Sequence, residues 1–65
     1  MKESAARAKA LRAITNLYQT DFARYYNIPL STWQSWEQGK NEPPEYVLEL
    51  LERAVRADFP KGWDE

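Results

Sequence analysis

The most chemically informative residues are the short polar and amide side chains between residues 31 and 38. Trp33 and Trp36 lie three residues apart, a spacing that places both on one face of a helix and predicts that this face is buried. The side chains that then point outward are those of Ser31, Gln34, Ser35 and Gln38. A glutamine amide can form two hydrogen bonds with adenine, and a serine hydroxyl can bond either partner of a base pair. These residue types favour recognition of DNA bases, and the lack of arginine among them favours A·T-rich or mixed half-sites.

Several other kinds of chemistry are excluded or disfavoured by composition. The 65 residues include no cysteine and no histidine, which excludes disulfides, Cys/His zinc sites and the nucleophile–base pairs that use either residue. Glu45, Glu49 and Glu52 could suggest a metal site or acid–base chemistry. However, acidic residues spaced along a helix with arginine partners are typical of a solvated face. We therefore expect no enzyme activity, no cofactor and no metal.

Four helices with short connections account for the pattern of apolar residues. We predict them over residues 3–15, 19–26, 30–38 and about 45–58, with no strand. Asn16, Asn27 and Gly39 each follow a predicted helix and suit the left-handed backbone that ends one. Pro60 and Gly62 predict the end of regular structure, which leaves a short tail over residues 59–65. The chain is thus predicted to be a single all-α domain over residues 1–65.

Most predicted core positions follow from the helical spacing, whereas Leu17 and Ile28 lie in the connections between the predicted helices. Across the chain the predicted core comprises Leu17, Phe22, Ala23, Ile28, Trp33, Trp36 and Leu51. The fourth helix has a predicted apolar stripe that comprises Val47, Leu50, Leu51, Ala54 and Val55. Its exposed side is predicted to carry two ion pairs four residues apart, Glu49–Arg53 and Glu52–Arg56. Phe59 and Trp63 leave two alternatives open, since they could close the core or form an apolar patch that joins two copies.

Two of the predicted helices form a helix-turn-helix unit in sequence. The segments 19–26 and 30–38 are separated only by Asn27, Ile28 and Pro29. The asparagine can adopt a left-handed conformation, and Ile28 can fill the corner between the helices. Ala23 has the small side chain that a close crossing requires. These features specify a motif whose second helix enters the major groove of DNA.

The segment TDFARYYNIPLSTWQSWEQG resembles, without a gap, the lambda-repressor-like (Cro/repressor, Xre-type) family of helix-turn-helix domains. The resemblance runs from about residue 11 to residue 51. It is carried by Leu17, Gln19, Phe22-Ala23, Ile28, Ser31-Thr32, Trp36-Glu37-Gln38-Gly39 and Pro44. It implies a compact bundle of four or five short helices, with the helix-turn-helix at about 19–38. Tyr18 replaces the usual Ser or Thr that caps the second helix, and Leu30 stands where many relatives carry a polar base-reading residue.

The resemblance also implies roles for individual residues. The positions that reach base edges are Ser31, Thr32, Gln34 and Ser35. The positions near the DNA backbone are Gln19, Gln38 and Lys40, and the first of these also lies against the recognition helix. Arg12 and Glu37 match a pair that often forms a buried ion pair in this family. Independently of the resemblance, the basic residues that could contact phosphates include Lys2, Arg7, Lys9 and Arg24.

Charge is distributed unevenly along the chain although the net charge is only −1. Residues 1–40 carry six Lys or Arg and three Asp or Glu, a net charge of +3. Residues 41–65 carry three Lys or Arg and seven Asp or Glu, a net charge of −4. If the chain has an anionic partner, that partner is expected to meet the first part of the chain, with the acidic segment facing away. The alternative is a chance imbalance of charge on two solvated surfaces.

These observations together predict a protein that binds double-stranded DNA sequence-specifically. We expect a small transcriptional regulator, a repressor, that acts as a homodimer and places two copies of helix 30–38 in successive major grooves about 34 Å apart. No stretch approaches the roughly 20 apolar residues of a membrane span, and no signal peptide is expected. The expected location is the cytoplasm, at the nucleoid when DNA is bound. The alternative is a protein-interaction module that retains this fold and binds a partner protein through its aromatic or tail surface.

Overall fold

The computed structural model describes residues 3–63, which form four α-helices and a short 3-10 helix. The α-helices are α1 (Glu3–Thr15), α2 (Gln19–Tyr25), α3 (Leu30–Gln38) and α4 (Glu45–Asp58), and the 3-10 helix, called the tail helix below, is Pro60–Trp63. Residues 3–63 contain no strand, so the predicted all-α bundle is confirmed. α1 packs against both α3 and α4, whereas α2 packs mainly on α3.

The helix ends lie at or next to the residues predicted to set them, although α2 ends at Tyr25, one residue before its predicted end. Asn16, Asn27 and Gly39 have positive φ angles of 62°, 58° and 81°, which is the left-handed conformation that these residue types tolerate best. The Gly39 N–H bonds to the Trp36 carbonyl at 3.2 Å, so the turn after α3 is closed by its own backbone. Tyr18 makes no side-chain cap at the start of α2, as its side chain predicts.

The core is one cluster built from all four α-helices, namely Ala8, Leu11, Phe22, Ala23, Trp33, Leu48, Leu51 and Val55. Phe22 and Trp33 stack at 4.5 Å between ring centroids and are both completely buried. A large apolar side chain buried in this way contributes about 1.5–3 kcal/mol. Of the other predicted core residues, Leu17, Ile28 and Trp36 are half-buried and pack against the cluster.

The predicted apolar stripe of α4 is wrong at one position. Leu50 is 57% exposed, and Leu48, which the prediction omitted, is 1% exposed. The inward face of α4 is defined by Leu48, Leu51 and Val55, at spacings of three and four. Leu50 directly precedes Leu51, and one residue rotates a helix by about 100°, so it lies off that face.

The ion pairs predicted on the exposed side of α4 form only in part. Arg56 bonds to Glu52 at 3.2 Å. Within residues 3–63, neither Glu49 nor Arg53 takes part in an ion pair or a side-chain hydrogen bond. Exposed pairs on a helix gain little from pairing, so nothing forces these two long side chains together.

The tail was predicted to lack regular structure, and this is also wrong, since Pro60–Trp63 form the tail helix. Phe59 and Trp63 are half-buried and pack against the core, which decides between the two alternatives in favour of core closure. The Arg56 guanidinium lies 4.1 Å above the Trp63 ring, a cation–π contact that ties the tail helix back to α4.

We expect Gly62→Ala to destabilise the tail helix. A Cβ atom at Gly62 would press on the Ile14 side chain and lie 2.9 Å from the Ile14 carbonyl oxygen, so the backbone must shift. The expected loss is about 1–3 kcal/mol in the free energy of unfolding, measured by denaturant titration. Lys61→Ala is the matched control, because that side chain is exposed. An unchanged midpoint for Gly62→Ala would show that the tail helix adds nothing to stability.

Candidate nucleic-acid interface

The turn between α2 and α3 is fixed by backbone hydrogen bonds. The Ile28 N–H bonds to the Ala23 carbonyl at 2.8 Å, and the Asn27 N–H bonds to the Arg24 carbonyl at 3.2 Å. Ala23 is buried where the two helices meet, and Ile28 packs against the core. The start of α3 is therefore held in a defined position relative to α2.

The outer face of α3 carries the predicted base-reading residues. Ser31 and Gln38 are exposed, while Thr32, Gln34 and Ser35 are half-buried. The Ser35 hydroxyl accepts a 2.6 Å hydrogen bond from the side-chain amide of Asn41, which sequence reasoning missed. No spacing rule relates the two residues, because they face each other only after Gly39 reverses the chain.

The predicted ion pair joins α1 to α3. Arg12 Nε donates to Glu37 Oε2 at 2.6 Å, and Arg12 Nη2 donates to Glu37 Oε1 at 3.1 Å, a two-pronged contact. Arg12 Nη1 also donates to the Leu17 carbonyl at 3.1 Å. Glu37 is only 3% exposed. One guanidinium thus connects α1, the α1–α2 connection and α3.

A chain of hydrogen bonds leads from this ion pair to the outer face of α3. Gln19 Nε2 donates to Glu37 Oε1 at 3.1 Å, and Gln34 Nε2 donates to Gln19 Oε1 at 3.2 Å. An ionised carboxylate only accepts hydrogen bonds, so Gln19 must turn its NH₂ group to Glu37 and its oxygen to Gln34. The Gln34 amide keeps one N–H and its oxygen available for an outside partner.

The negative charge of Glu37 orients the hydrogen bonds that lead through Gln19 to Gln34. Burial alone would raise the pKa of Glu37, but the hydrogen bonds from Arg12 and Gln19 outweigh burial, and its pKa lies below its usual range. The hydrogen bond to Glu37 in turn raises the pKa of Arg12 above its ordinary value. Both groups are therefore charged at neutral pH.

The basic residues named as phosphate contacts differ in availability. Arg24, Lys40 and Lys9 are exposed. Arg7 is bonded to Glu45 of α4 at 2.9 Å in an exposed ion pair, so a phosphate contact by Arg7 would replace this surface pair. Lys2 lies outside the described residues.

Comparison of the chain with protein-family models, curated proteins and solved structures returned no match. Within residues 3–63, no helix is long and apolar enough to cross a bilayer. No group of acidic side chains in the same part of the chain is arranged to hold a metal ion.

We expect Arg12→Met to cost about 3 kcal/mol of unfolding free energy at neutral pH, because it leaves the buried Glu37 carboxylate unpaired. In the wild type, the pKa of Glu37 is lower in the folded chain than in the unfolded chain. This difference stabilises the fold at pH values above the unfolded pKa, and the stabilisation is lost as the pH falls through the folded pKa. The difference in unfolding free energy between the wild type and Arg12→Met should therefore decrease at acid pH. Denaturant titrations across a pH series measure it.

Arg7→Met is the control for this measurement. Its partner Glu45 is largely exposed, so the loss should stay below about 1 kcal/mol and change little with pH. If Arg12→Met and Arg7→Met lose the same free energy of unfolding at neutral pH, the Arg12–Glu37 pair stabilises the fold no more than an exposed ion pair does.

Proposed function

We propose that this chain binds double-stranded DNA sequence-specifically by placing α3 in the major groove. The observation that carries the proposal is the Gln34 amide, which lies on the outer face of α3 with its orientation fixed through Gln19 and the buried Glu37. A reading side chain held in this way recognises a base at a low cost in conformational entropy. The resemblance of residues 11–51 to lambda-repressor-like domains supports the same function.

Base recognition is assigned to the polar side chains of α3. The free N–H and oxygen of Gln34 match the acceptor and donor that adenine presents in the major groove. Ser31 lies one helical turn before Gln34, and Thr32 follows Ser31. Both carry short hydroxyl groups that suit either partner of a base pair or a thymine methyl. Ser35 contributes together with Asn41, because the bond between them leaves the hydroxyl hydrogen of Ser35 free to donate.

Contacts to the DNA backbone supply most of the affinity in this proposal. Lys40 and Gln38 are exposed at the end of α3, and Arg24 is exposed on α2. Gln19 keeps one N–H beyond its bond to Glu37, and this N–H can donate to a phosphate. Such contacts position the protein without reading sequence.

The biological role proposed is that of a small transcriptional regulator that represses by occupying its site. Two copies would place their α3 helices in successive major grooves, about 34 Å apart. This role needs no enzyme activity, cofactor or metal. The location that it implies is the cytoplasm, at the nucleoid when DNA is bound.

Gln34→Ala should reduce affinity for the preferred site by about 1–3 kcal/mol and leave binding to generic duplex DNA nearly unchanged. The site is first obtained by selecting bound oligonucleotides from a random pool, and affinities are then measured by fluorescence anisotropy. Gln38→Ala is the matched control, since a phosphate contact should weaken binding to both DNAs alike. The same loss on both DNAs for Gln34→Ala would reject its base-reading role.

Binding to generic duplex DNA should fall steeply as salt rises, because phosphate contacts release counterions. Lys40→Ala should reduce the slope of log affinity against log salt by about 1. Absence of binding to any duplex at low salt would contradict the proposed function. It would favour the alternative of a protein-interaction module, for which the exposed aromatic rings of Tyr18 and Tyr25 are the candidate contacts.

A further inference from the structure

The described residues leave five large apolar side chains exposed, namely Tyr18, Tyr25, Leu30, Tyr46 and Leu50. Tyr46 and Leu50 are 65% and 57% exposed and lie one helical turn apart on α4. The core does not need them, because Leu48, Leu51 and Val55 form the buried face of the same helix. Two neighbouring apolar side chains on an outward face indicate a contact surface.

The surrounding residues define a stripe along this face. Tyr46, Leu50, Arg53 and Ala57 follow each other at spacings of four, three and four, which keeps them on one side of a helix. We call these four residues the outer stripe of α4, and all four are exposed. Glu49 borders the stripe beside Leu50.

We propose that a second copy of this chain docks on the outer stripe of α4, with the two helices antiparallel about a two-fold axis. In this register, Tyr46 of one copy faces the small Ala57 of the other. Leu50 packs on the aliphatic part of Arg53 from the second copy. The guanidinium of that Arg53 then lies within reach of Glu49 of the first copy.

Charge complementarity identifies the occupant as a copy of the chain. A two-fold axis requires one surface to complement itself, so each contact occurs twice. The outer stripe meets this requirement with a large and a small apolar residue at its ends and with basic Arg53 near its middle, next to the bordering acidic Glu49. Glu49 and Arg53 have no other bonded partner within residues 3–63.

The contact is compatible with the proposed function, and its biological role rests on that function. α3 packs on α1 and α2, whereas α4 packs on α1 and the tail helix. A partner on the outer stripe approaches α4 from the side away from α1 and leaves the outer face of α3 open. A stripe of four residues is small compared with stable interfaces, which bury about 1,200–2,000 Å². The dimer is therefore weak in solution and strengthened when both copies occupy adjacent half-sites.

The contact is tested first on the free protein by nuclear magnetic resonance over a concentration series from micromolar to millimolar. We expect the backbone amide signals of residues 46–57 to shift with concentration while translational diffusion slows. Shifts centred on α2, α3 or the tail helix, or no dependence on concentration, would overturn the proposal. This measurement needs no DNA, so it judges the contact even where the proposed function fails.

A charge swap provides the matched control. Glu49→Arg places like charges opposite each other at both symmetric contacts, and Arg53→Glu does the same with the opposite sign. Each single variant should abolish the concentration-dependent shifts, and the double variant E49R/R53E, which has the wild-type net charge, should restore them. All of these positions are exposed, so the variants should fold as the wild type does. Failure of the double variant to restore association would contradict the proposed register.

The last measurement compares duplexes that contain one or two selected half-sites. Arg53→Glu should weaken binding to the two-site duplex by about tenfold and leave binding to the one-site duplex unchanged. E49R/R53E should recover the wild-type affinity for both. An equal effect of Arg53→Glu on the two duplexes would show that it acts through DNA charge and would count against the contact. If selection from the random pool yields no bound site, this comparison cannot be made, and the proposed function is refuted instead.

Discussion

The ion pair between Arg12 and Glu37 is the interaction on which most of this structure depends. A carboxylate that is 3% exposed is costly to bury unless a cation and further hydrogen bonds compensate it. Arg12 provides two of those bonds and Gln19 provides the third. Meeting this need brings α1, the start of α2 and the end of α3 to one point. Satisfying one buried charge therefore helps to fix the position of α3 relative to α1 and the start of α2.

The rest of the stability comes from a small core of aromatic and aliphatic side chains. A chain of 65 residues without cysteine or histidine has no disulfide or Cys/His metal site to stabilise it. Trp33 and Phe22 compensate with large buried surfaces that stack directly between α2 and α3. The tail helix adds Trp63 and the cation–π contact with Arg56. Aromatic residues thus provide the area that a longer chain would obtain from additional helices.

The sequence was sufficient for features that depend on one residue or on local spacing. Asn16, Asn27 and Gly39 indicated where helices end, because few residues adopt a left-handed backbone at low cost. The buried ion pair was expected only through the family resemblance. Leu50 was predicted in place of Leu48 because the apolar residues of α4 also form a stripe on a neighbouring face. Apolar spacing alone did not show that the core contacts the face of Leu48, Leu51 and Val55. Bonds such as Arg7–Glu45, between residues 38 apart in sequence, depend on the packing of whole helices and leave no local pattern.

The hydrogen-bond chain from Glu37 to Gln34 divides the surface of α3 into two kinds of position. Ser31 and Thr32 make no side-chain bond to the rest of the scaffold within residues 3–63, so evolution or design can exchange them one at a time. Gln34 is different, because its side-chain N–H bonds to Gln19, which in turn bonds to the buried Glu37. Replacing Gln34 removes the outermost link of that chain, so this position is coupled to Gln19. The outer face of α3 therefore combines side chains that are independent of the rest of the fold with one, Gln34, whose orientation depends on α2.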